Sequence, residues 1–252
     1  MVSILLAGAF GKMGRSIQNL IGKHPHWSLD AVLVSPNFNK KENIKVPIFR
    51  NLNDIKGNYD VWIDVTNPKS VYINTLWAIN HHISPIIGTS GLDNQQVKKL
   101  QEQAFKKHIR GIIAPNFSIS AVLMMYFSKI SSRFISNASI VEIHHPDKLD
   151  SPSGTAKATA GILNSNGAYT KNIPNGIEGD EHKINDVAIF SQRKKGYLAY
   201  QSVNFSGNGE TLKISQNSFS RKSFMAGVEL AINKVKDQKG LVLGLEKVMG
   251  LN

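Results

Sequence analysis

The first half of the chain alternates short apolar segments with helical patterns, and this alternation constrains the fold most strongly. Each apolar segment is short, continuous and bounded by turn residues, which is typical of a buried β-strand. Strands without polar alternation indicate a parallel sheet covered by helices on both faces. The predicted strands are Ser3–Ala7, Leu29–Val34, Val61–Val65, Pro85–Gly88 and Gly111–Ala114, and the predicted helices among them are Gly14–Lys23, Lys69–Asn80 and Asp93–Lys107.

The second half of the chain shows a different pattern. A predicted helix is followed by a strand and, further on, by segments with partial alternation that suit a mixed or antiparallel sheet. These elements are a helix at 120–134, strands at 140–144, 187–192, 197–205 and 211–216, and a final helix from about Phe224. We therefore predict an α/β fold, with a parallel-sheet domain formed by residues 1–117 and 222–252 and an inserted α+β domain formed by residues 118–221.

The segment LLAGAFGKMG places three glycines directly after the first strand and at the start of a helix. Gly8 permits a tight turn, Gly11 lets the backbone approach a pyrophosphate, and Gly14 lets helix and sheet pack closely. The helix N-terminus then attracts phosphates. The pattern indicates a Rossmann-like dinucleotide-binding domain. Phe10 occupies the second glycine position of the usual fingerprint, so a plain tight turn remains the alternative.

The end of the second strand bears on the choice of nucleotide. An acidic residue there usually binds the ribose hydroxyls of NAD. Here the strand ends in LVSP at residues 33–36, and Asp30 lies near its beginning. Without that carboxylate a 2′-phosphate meets no repulsion, and Lys40 and Lys41 follow closely. We predict that NADPH is used at least as well as NADH.

Two further loops follow predicted strands. They are Gly88–Gly91, with the sequence GTSG, and Ala114–Phe117, with the sequence APNF. A doubly wound sheet binds its ligands beyond the carboxyl ends of its strands. Both loops are therefore candidate cofactor contacts, and an ordinary turn is the alternative for each.

The composition narrows the class of protein. The net charge is +12, but the lysines are scattered, mostly as pairs. This favours a diffuse basic surface that attracts anionic small molecules over a nucleic-acid interface. The absence of cysteine excludes disulfides and thiolate catalysis, including that of the thioester-forming aldehyde dehydrogenases. No apolar run reaches the ~18 residues of a membrane span, and the N-terminus lacks a basic signal region, so we expect a cytoplasmic protein.

The segment VEIHHPDKLDSPSGTA, residues 141–156, concentrates chemically active side chains. A metal site is disfavoured because His144 and His145, as neighbours on a strand, would point to opposite faces. A nucleophilic role for Ser153 is disfavoured because the G-x-S-x-G elbow is missing. A structural loop remains an alternative.

The interpretation we favour for this segment is an anion-binding acid–base site. Ser151 and Pro152 match an N-cap followed by proline at the first helical position. The N–H groups of residues 153–155 would then be available to a carboxylate or phosphate. Lys148 and a histidine add positive charge, and either can donate a proton. Together with a nicotinamide domain, this predicts reduction of a small carboxylated substrate.

These motifs resemble the 4-hydroxy-tetrahydrodipicolinate (dihydrodipicolinate) reductase family of the diaminopimelate route to lysine. The resemblance spans nearly the whole chain and rests on GAFGKMG, VWIDVTNP, IGTSGLD, APNFS, EIHHPDKLDSPSGTA and SRKSFMAG. It implies a homotetramer in which the first domain binds NADPH and/or NADH. The inserted domain would hold a small cyclic dicarboxylate and build the oligomer. Neither nucleic acid nor a membrane is an expected partner, and no metal is expected.

The resemblance also implies roles for individual residues. His144 would be the proton donor or acceptor, and Lys148 the proton donor. The implied substrate contacts are His145, Lys148, Ser153, Gly154, Thr155 and Arg221. The implied dinucleotide contacts are Gly8, Ala9, Phe10, Gly11, Lys12, Met13, Gly88, Thr89, Ser90, Ala114, Pro115, Asn116 and Phe117. Val34 lies where many members have an acidic ribose ligand, which leaves the nucleotide preference open.

A non-catalytic function on the same fold is the competing hypothesis. In it, the chain would be a nucleotide-binding sensor or regulator that holds a partner on its basic surface. The combination of His144, Lys148 and Arg221 argues against this, because a sensor has no need of a proton donor.

Overall fold

A computed structural model describes residues 1–39, 42–171 and 176–251. The chain divides into two compact units, one formed by Met1–Phe117 with Phe224–Asn252 and the other by Ser118–Ser223. The strands are β1 (Val2–Ala7), β2 (Trp27–Leu33), β3 (Ile48–Phe49), β4 (Val61–Asp64), β5 (Ser84–Ile87), β6 (Gly111–Ile113), β7 (Ala138–His144), β8 (Asp180–Ile184), β9 (Val187–Arg193), β10 (Ala199–Ser206), β11 (Thr211–Ser218) and β12 (Leu241–Leu243). The helices are α1 (Lys12–Ile21), α2 (Val71–Asn80), α3 (Asn94–Lys106), α4 (Ile119–Ser131), α5 (Gly154–Ser165), α6 (Met225–Lys234) and α7 (Leu245–Val248).

The first unit is built on a seven-stranded sheet with the order β12-β6-β5-β4-β1-β2-β3. Every paired strand in it runs parallel to its neighbour. This confirms the predicted Rossmann-like sheet, whose strand order reverses between β1 and β4. β3 was not predicted because its two residues, Ile48 and Phe49, are too few for an apolar pattern to stand out. β12 was not predicted either, although its sequence, LVL, is apolar. β12 comes from the C-terminal segment and pairs with β6.

Burial on both faces explains the apolar strands of the first unit. Ile4, Leu5 and Leu6 of β1 are all fully buried, and so are the four residues of β4. Helix α3 shows how the covering helices are specified. Its buried residues, Val97, Leu100 and Ala104, recur at helical spacing. Its N-cap, Asp93, forms a reciprocal capping box with Gln96.

The second unit is built on a five-stranded sheet with the order β11-β10-β7-β9-β8. β7 and β9 are parallel, and the other pairs are antiparallel, as the predicted mixed sheet requires. β8 was missed because its sequence, DEHKI, is largely exposed at the sheet edge and carries no apolar run. Its backbone pairing with β9 defines it as a strand instead.

One face of this second sheet packs against helix α5. The buried cluster contains Ala138 and Ile140 of β7, together with Ala156, Ala160 and Leu163 of α5. Because side chains alternate across a strand, the face that carries Ile140 also carries the residues two and four positions further along β7. None of the described helices is long and apolar enough to cross a membrane.

Candidate functional site

The glycine turn after β1 has a geometry that other residues cannot adopt without strain. Gly8 has φ +82°, and a Cβ there would lie 2.5 Å from the carbonyl oxygen of Val65. A Cβ at Gly14 would lie 2.2 Å from the carbonyl oxygen of Gly8. Gly11 is the N-cap of α1, with no side-chain cap. A Cβ built at Gly11 would lie 3.3 Å from its nearest neighbour, the carbonyl oxygen of Gly8. Helix α1 thus begins with an open N-terminus at the sheet's switch point, which fits a bound pyrophosphate.

Aromatic and charged side chains surround this turn. The ring of Phe10 stacks on Phe38 with 4.9 Å between centroids. The Arg15 guanidinium lies 5.7 Å from the centre of the Phe10 ring and pairs with Glu42 at 2.6 Å. The sequence reasoning did not single out Phe38, Arg15 or Glu42, since their proximity depends on the fold of the loop after β2.

The expected position of the acidic ribose ligand is apolar. Val34 is 7% exposed. Asp30 is the fourth residue of β2 rather than near its start, and its carboxylate accepts a hydrogen bond from Ser28 at 3.1 Å. Lys40 and Lys41, which the nucleotide prediction invoked, lie outside the described residues.

The loops after β5 and β6 converge with the glycine turn in the first unit. A cavity of about 170 Å³ is lined by Met13, Gly88, Ala114, Pro115, Asn116, Phe117 and Phe224. A Cβ at Gly88 would lie 2.3 Å from Cε2 of Phe117, so these two loops pack against each other. Three separate sequence segments predicted to contact the dinucleotide therefore line one cavity.

A buried carboxylate that the sequence reasoning missed joins the loop after β4 to the loop after β5. Asp64, at the end of β4, is fully buried. Its Oδ1 accepts the hydroxyls of Thr66 and Thr89, each at 2.6 Å, and its Oδ2 accepts the amide of Asn74 at 2.9 Å. Thr89, a predicted cofactor contact, thus uses its hydroxyl to anchor the loop after β5.

In the second unit, His144 is the last residue of β7 and is held by a buried glutamate. Glu142 lies two residues earlier on the same strand face and has a fully buried side chain. Its Oε2 contacts Nδ1 of His144, and its Oε1 lies 3.1 Å from Nη1 of Arg193. Burial alone would raise the pKa of Glu142, but its contacts with His144 and Arg193 outweigh burial, so that the pKa is lowered.

Lys148 lies in the loop after β7 and is paired with an aspartate. Its Nζ donates to Oδ1 of Asp150 at 2.6 Å. Burial acts to raise the pKa of the Asp150 carboxyl, but the Lys148 ammonium more than offsets this and the pKa is lowered. Arg193 fixes the backbone of the same loop, since its Nε donates to the Lys148 carbonyl at 3.3 Å and its Nη2 to the Asp150 carbonyl at 2.6 Å.

The start of helix α5 corrects the predicted cap. Ser153 is the N-cap, not Ser151, because the Ser153 hydroxyl accepts the N–H of Ala156 at 3.2 Å and Gly154 is the first helical residue. Pro152 therefore precedes the helix and is not its first residue. The Ser153 N–H, predicted to be available to an anion, donates to Glu142 Oε1 at 3.4 Å. Gly154 is exposed, with no atom within 4 Å of a Cβ built there.

His145 and Arg221 are the remaining predicted substrate contacts. His145 lies just after β7, so the strand-alternation argument against a metal does not apply to it. Its Nδ1 is shielded from solvent and has no hydrogen-bond partner in the described part of the chain; the nearest carboxylate oxygen, Oδ2 of Asp147, is 3.9 Å away. Arg221 begins a single 3-10 turn, Arg221–Phe224, and among residues 1–39, 42–171 and 176–251 no ion pair involves it. No three histidine or carboxylate side chains within those ranges are grouped as a metal site.

Three residues of the second-unit site were missed by the sequence reasoning. Glu142 and Asp150 stand inside the motif, and the i, i+2 spacing of Glu142 and His144 on a strand could have placed them on one face. Arg193 gives no local signal. It reaches the site because β7 and β9 pair in parallel, with His144 opposite Arg193.

The glycine turn at the switch point of a parallel sheet, with a second α+β unit inserted in the chain, defines a nicotinamide-dinucleotide oxidoreductase class of fold. The comparisons agree. Residues 2–117 match the family profile described as dihydrodipicolinate reductase, N-terminus, and residues 120–249 match dihydrodipicolinate reductase, C-terminus. The chain belongs to the dihydrodipicolinate reductase family.

Individual relatives match over their full length. The 4-hydroxy-tetrahydrodipicolinate reductase of Lactobacillus acidophilus is 41% identical, with 98% of each chain covered. That of Lactiplantibacillus plantarum is 40% identical, covering 99% of this chain and 100% of the relative. The structure of dipicolinate-bound dihydrodipicolinate reductase from Paenisporosarcina sp. TG-14 matches with a TM-score of 0.84 and 33% identity, covering 98% of this chain and 99% of that one.

More distant structures share only the fold. A scyllo-inositol dehydrogenase from Lactobacillus casei has a TM-score of 0.63 at 12% identity, over 100% of this chain and 95% of its own. The fold is thus shared with a protein named for another substrate, and the fold alone does not define the reaction.

Proposed function

We propose that this chain catalyses the NAD(P)H-dependent reduction of 4-hydroxy-tetrahydrodipicolinate to tetrahydrodipicolinate. The observation that carries the proposal is the group formed by His144, Lys148 and the N-terminus of α5. Glu142 contacts both His144 and the Ser153 amide, and Arg193 holds the loop that bears Lys148. An acid–base pair next to a helix start suits a substrate that carries carboxylates and must gain a proton.

The first unit supplies the residues that would hold the dinucleotide. Gly8–Met13 would contact the pyrophosphate, and Gly88–Ser90 and Ala114–Phe117 would line the cavity for the remainder. The strained Gly8, the close packing at Gly14 and the open helix N-terminus at Gly11 all fit that role. When bound, the reduced nicotinamide supplies a hydride.

The overall reaction balances with one proton from the protein. Loss of water from the hydroxylated ring gives a conjugated imine, and addition of a hydride at C4 and of one proton gives tetrahydrodipicolinate. The hydride would bring both electrons, so that the protein needs to supply only the proton. Lys148 would deliver the proton, and His144 would donate or accept one beside it. Asp150 would hold the Lys148 ammonium in place until a substrate carboxylate arrives.

Two carboxylates on the ring require two separate anion partners. The start of α5, with Ser153, Gly154 and Thr155, would bind one of them. The Ser153 N–H already donates to Glu142, so Ser153 would contribute its hydroxyl proton. The N–H of Gly154, the first helical residue, has no helical carbonyl to donate to. His145 would add a hydrogen bond from its shielded ring. Arg221 would bind the other carboxylate bidentately. Binding of dipicolinate by the Paenisporosarcina relative supports a planar dicarboxylate as the ligand class.

We further propose that NADPH is used at least as well as NADH. Val34 presents neither a ribose ligand nor a repulsive charge to a 2′-phosphate. Arg15, which lies over the Phe10 ring of the glycine turn and pairs with Glu42, would be the cation for that phosphate. A clear preference for NADH in kcat/KM would contradict this part.

We propose that the chain works as a homotetramer in the cytoplasm. The sheet face of the second unit that is turned away from Ile140 carries Val141, Ile143 and Tyr200, which line a concave surface. The same surface is also lined by Tyr197, which lies just before β10, and by the polar residues Ser202, Asn204 and Lys213. Such a face is suited to subunit packing. Light scattering that gave the mass of a single chain at micromolar concentration would exclude the tetramer.

The experiment is a steady-state assay of NADPH and NADH oxidation, with the substrate generated in place by the synthase that precedes this step. We expect substrate-dependent loss of reduced nicotinamide absorbance. His144→Gln should lower kcat, whereas His82→Gln, which changes a histidine of the first unit outside both predicted contact sets, should not. Folded protein that binds NADPH but turns over neither cofactor would favour the sensor hypothesis.

A further inference from the structure

The carboxylate of Glu142 contacts three groups of the second-unit site at once. It is fully buried, and the described chain places His144 at one oxygen and Arg193 and the Ser153 amide at the other. None of the predicted roles includes Glu142 or Arg193. A buried charge is costly unless it is paired and hydrogen-bonded. The burial of the Glu142 carboxylate therefore indicates a role in the site other than packing.

The contact fixes which nitrogen of His144 carries a proton. An ionised carboxylate only accepts hydrogen bonds, so Nδ1 of His144 must donate to Glu142. Nε2 is then the nitrogen left for other partners, and in the neutral ring it is the acceptor. A histidine held in this way presents one defined atom in one orientation.

Arg193 extends the same control to the loop that follows. Its guanidinium donates to Glu142, to the Lys148 carbonyl and to the Asp150 carbonyl. These three contacts span the β7 end and the loop that carries Lys148. Nη1 also donates to the Gln192 carbonyl at 2.7 Å, so four of the five guanidinium N–H groups donate to fixed acceptors. A planar, branched guanidinium can reach acceptors in this arrangement, whereas a single ammonium cannot.

We propose that Glu142 and Arg193 are positioning residues for this site: Glu142 holds His144 with Nδ1–H inward and Nε2 toward the substrate, and Arg193 holds the Lys148 loop in register with it. This inference rests on the proposed reductase function. The inference extends that function by adding two residues, which would touch neither substrate nor cofactor. The charged groups that the structure shows around His144 are Glu142 on its own strand, Arg193 opposite it on β9, and Asp150 on the loop. Lys148 is paired with that Asp150.

The substitution Glu142→Gln keeps the shape and removes the charge. A glutamine can donate or accept at the same place, so His144 loses its fixed protonation pattern. We expect kcat to fall about 10- to 100-fold, the range typical of residues that orient a functional histidine, with the KM for NADPH unchanged. Asp186→Asn is the matched control, because it removes an ion-paired carboxylate of the same unit, 3.4 Å from Lys183, and should leave kcat unaltered.

The substitution Arg193→Lys keeps the charge and removes the fork. A lysine cannot reach the three acceptors together, so the loop should lose its register. We expect kcat/KM for the substrate to fall about 10-fold or more, with the affinity for NADPH unchanged. Lys194→Arg, a conservative change of the next residue, should have no such effect.

Nitrogen-15 NMR of His144 provides a readout that does not depend on turnover. In the native protein the neutral ring should show protonated Nδ1 and unprotonated Nε2; in Glu142→Gln the two tautomers should mix. A native pattern and full kcat in Glu142→Gln would overturn the proposal, and so would loss of thermal stability alone.

If the native protein had no reductase activity, the proposed function would fail while the tautomer measurement would still decide the role of Glu142. Should Glu142→Gln not fold, the NMR pattern of the native protein and of Arg193→Lys decides: protonated Nε2 in the native ring overturns the proposal.

Discussion

The ammonium group of Lys148 lies 2.6 Å from the carboxylate of Asp150, two residues further along the same loop. The proposed proton donor is therefore held by an ion pair. The Lys148 side chain is 23% exposed and that of Asp150 55% exposed, so the pair remains open to competition from an incoming anion. A carboxylated substrate can take over the ammonium without first breaking a buried contact.

Replacement of Lys148 by alanine should mainly depress turnover. Removal of a general acid typically costs about 10²- to 10⁴-fold in rate, and we expect a decrease in kcat of that order. The affinity for NADPH should be unchanged, because the proposed cofactor contacts lie in the other unit. Steady-state kinetics and fluorescence titration with NADPH measure the two quantities. Lys183→Ala, which breaks a comparable surface pair with Asp186, is the control. Wild-type kcat in Lys148→Ala would remove Lys148 from the mechanism.

Replacement of Arg221 by alanine should mainly weaken substrate binding. Loss of a charge-assisted bidentate contact costs about 2–3 kcal/mol, which corresponds to a rise in substrate KM of roughly 30- to 150-fold. The neighbouring Lys222 is exposed, and Lys222→Ala provides the comparison. An unchanged KM in Arg221→Ala, with unchanged kcat, would show that another cation binds the second carboxylate.

The stability of the chain in acid should depend on Glu142. Its pKa is lowered in the folded protein, so the unfolded chain binds more protons than the folded chain as the pH falls. The resulting stabilisation is present above the usual carboxyl pKa and is lost as the pH drops through the lowered value. Between about pH 5 and pH 3, the melting temperature of the native protein should fall more steeply than that of Glu142→Gln. Parallel melting curves over this range would contradict the ion-pair assignment.

Two glycines of the first turn should respond differently to alanine. Gly14→Ala places a Cβ 2.2 Å from a backbone oxygen that cannot move freely, and we expect a loss of at least about 2 kcal/mol in the free energy of unfolding. Gly11→Ala meets only one oxygen at 3.3 Å, so the fold should persist while the affinity for NADPH falls. Chemical denaturation and NADPH titration of both variants test this. Equal stability of the two variants would contradict the described turn.

The elements that could be predicted are those whose signal is local. β1 and the glycine turn were recognisable because a buried strand, three glycines and a helix start stand next to one another. β8 was not, because an exposed edge strand is defined by its pairing with β9 and not by its own side chains. The cap of α5 was placed two residues early because Ser151-Pro152 and Ser153-Gly154 both resemble helix starts; the Ala156 contact that decides between them depends on the folded backbone.

The reacting groups proposed for the site could be singled out from the sequence, whereas the residues that hold them could not. His144 and Lys148 stood out by residue type and spacing. Arg193 lies 49 residues after His144 in the sequence and becomes its neighbour only through the parallel register of β7 and β9. Asp64 likewise joins Thr66 and Thr89 through the order of β4 and β5 in the sheet. Contacts of this kind follow from topology, which a single sequence expresses only indirectly.

The most direct measurement is transfer of deuterium from NADPH labelled at the hydride-donating carbon, with the substrate generated in place and the product analysed by mass spectrometry. A chain that performs the proposed reaction will yield tetrahydrodipicolinate that carries one cofactor-derived deuterium, located at C4 by NMR. Product without that deuterium, or no product from folded protein that binds NADPH, would contradict the proposed reductase function.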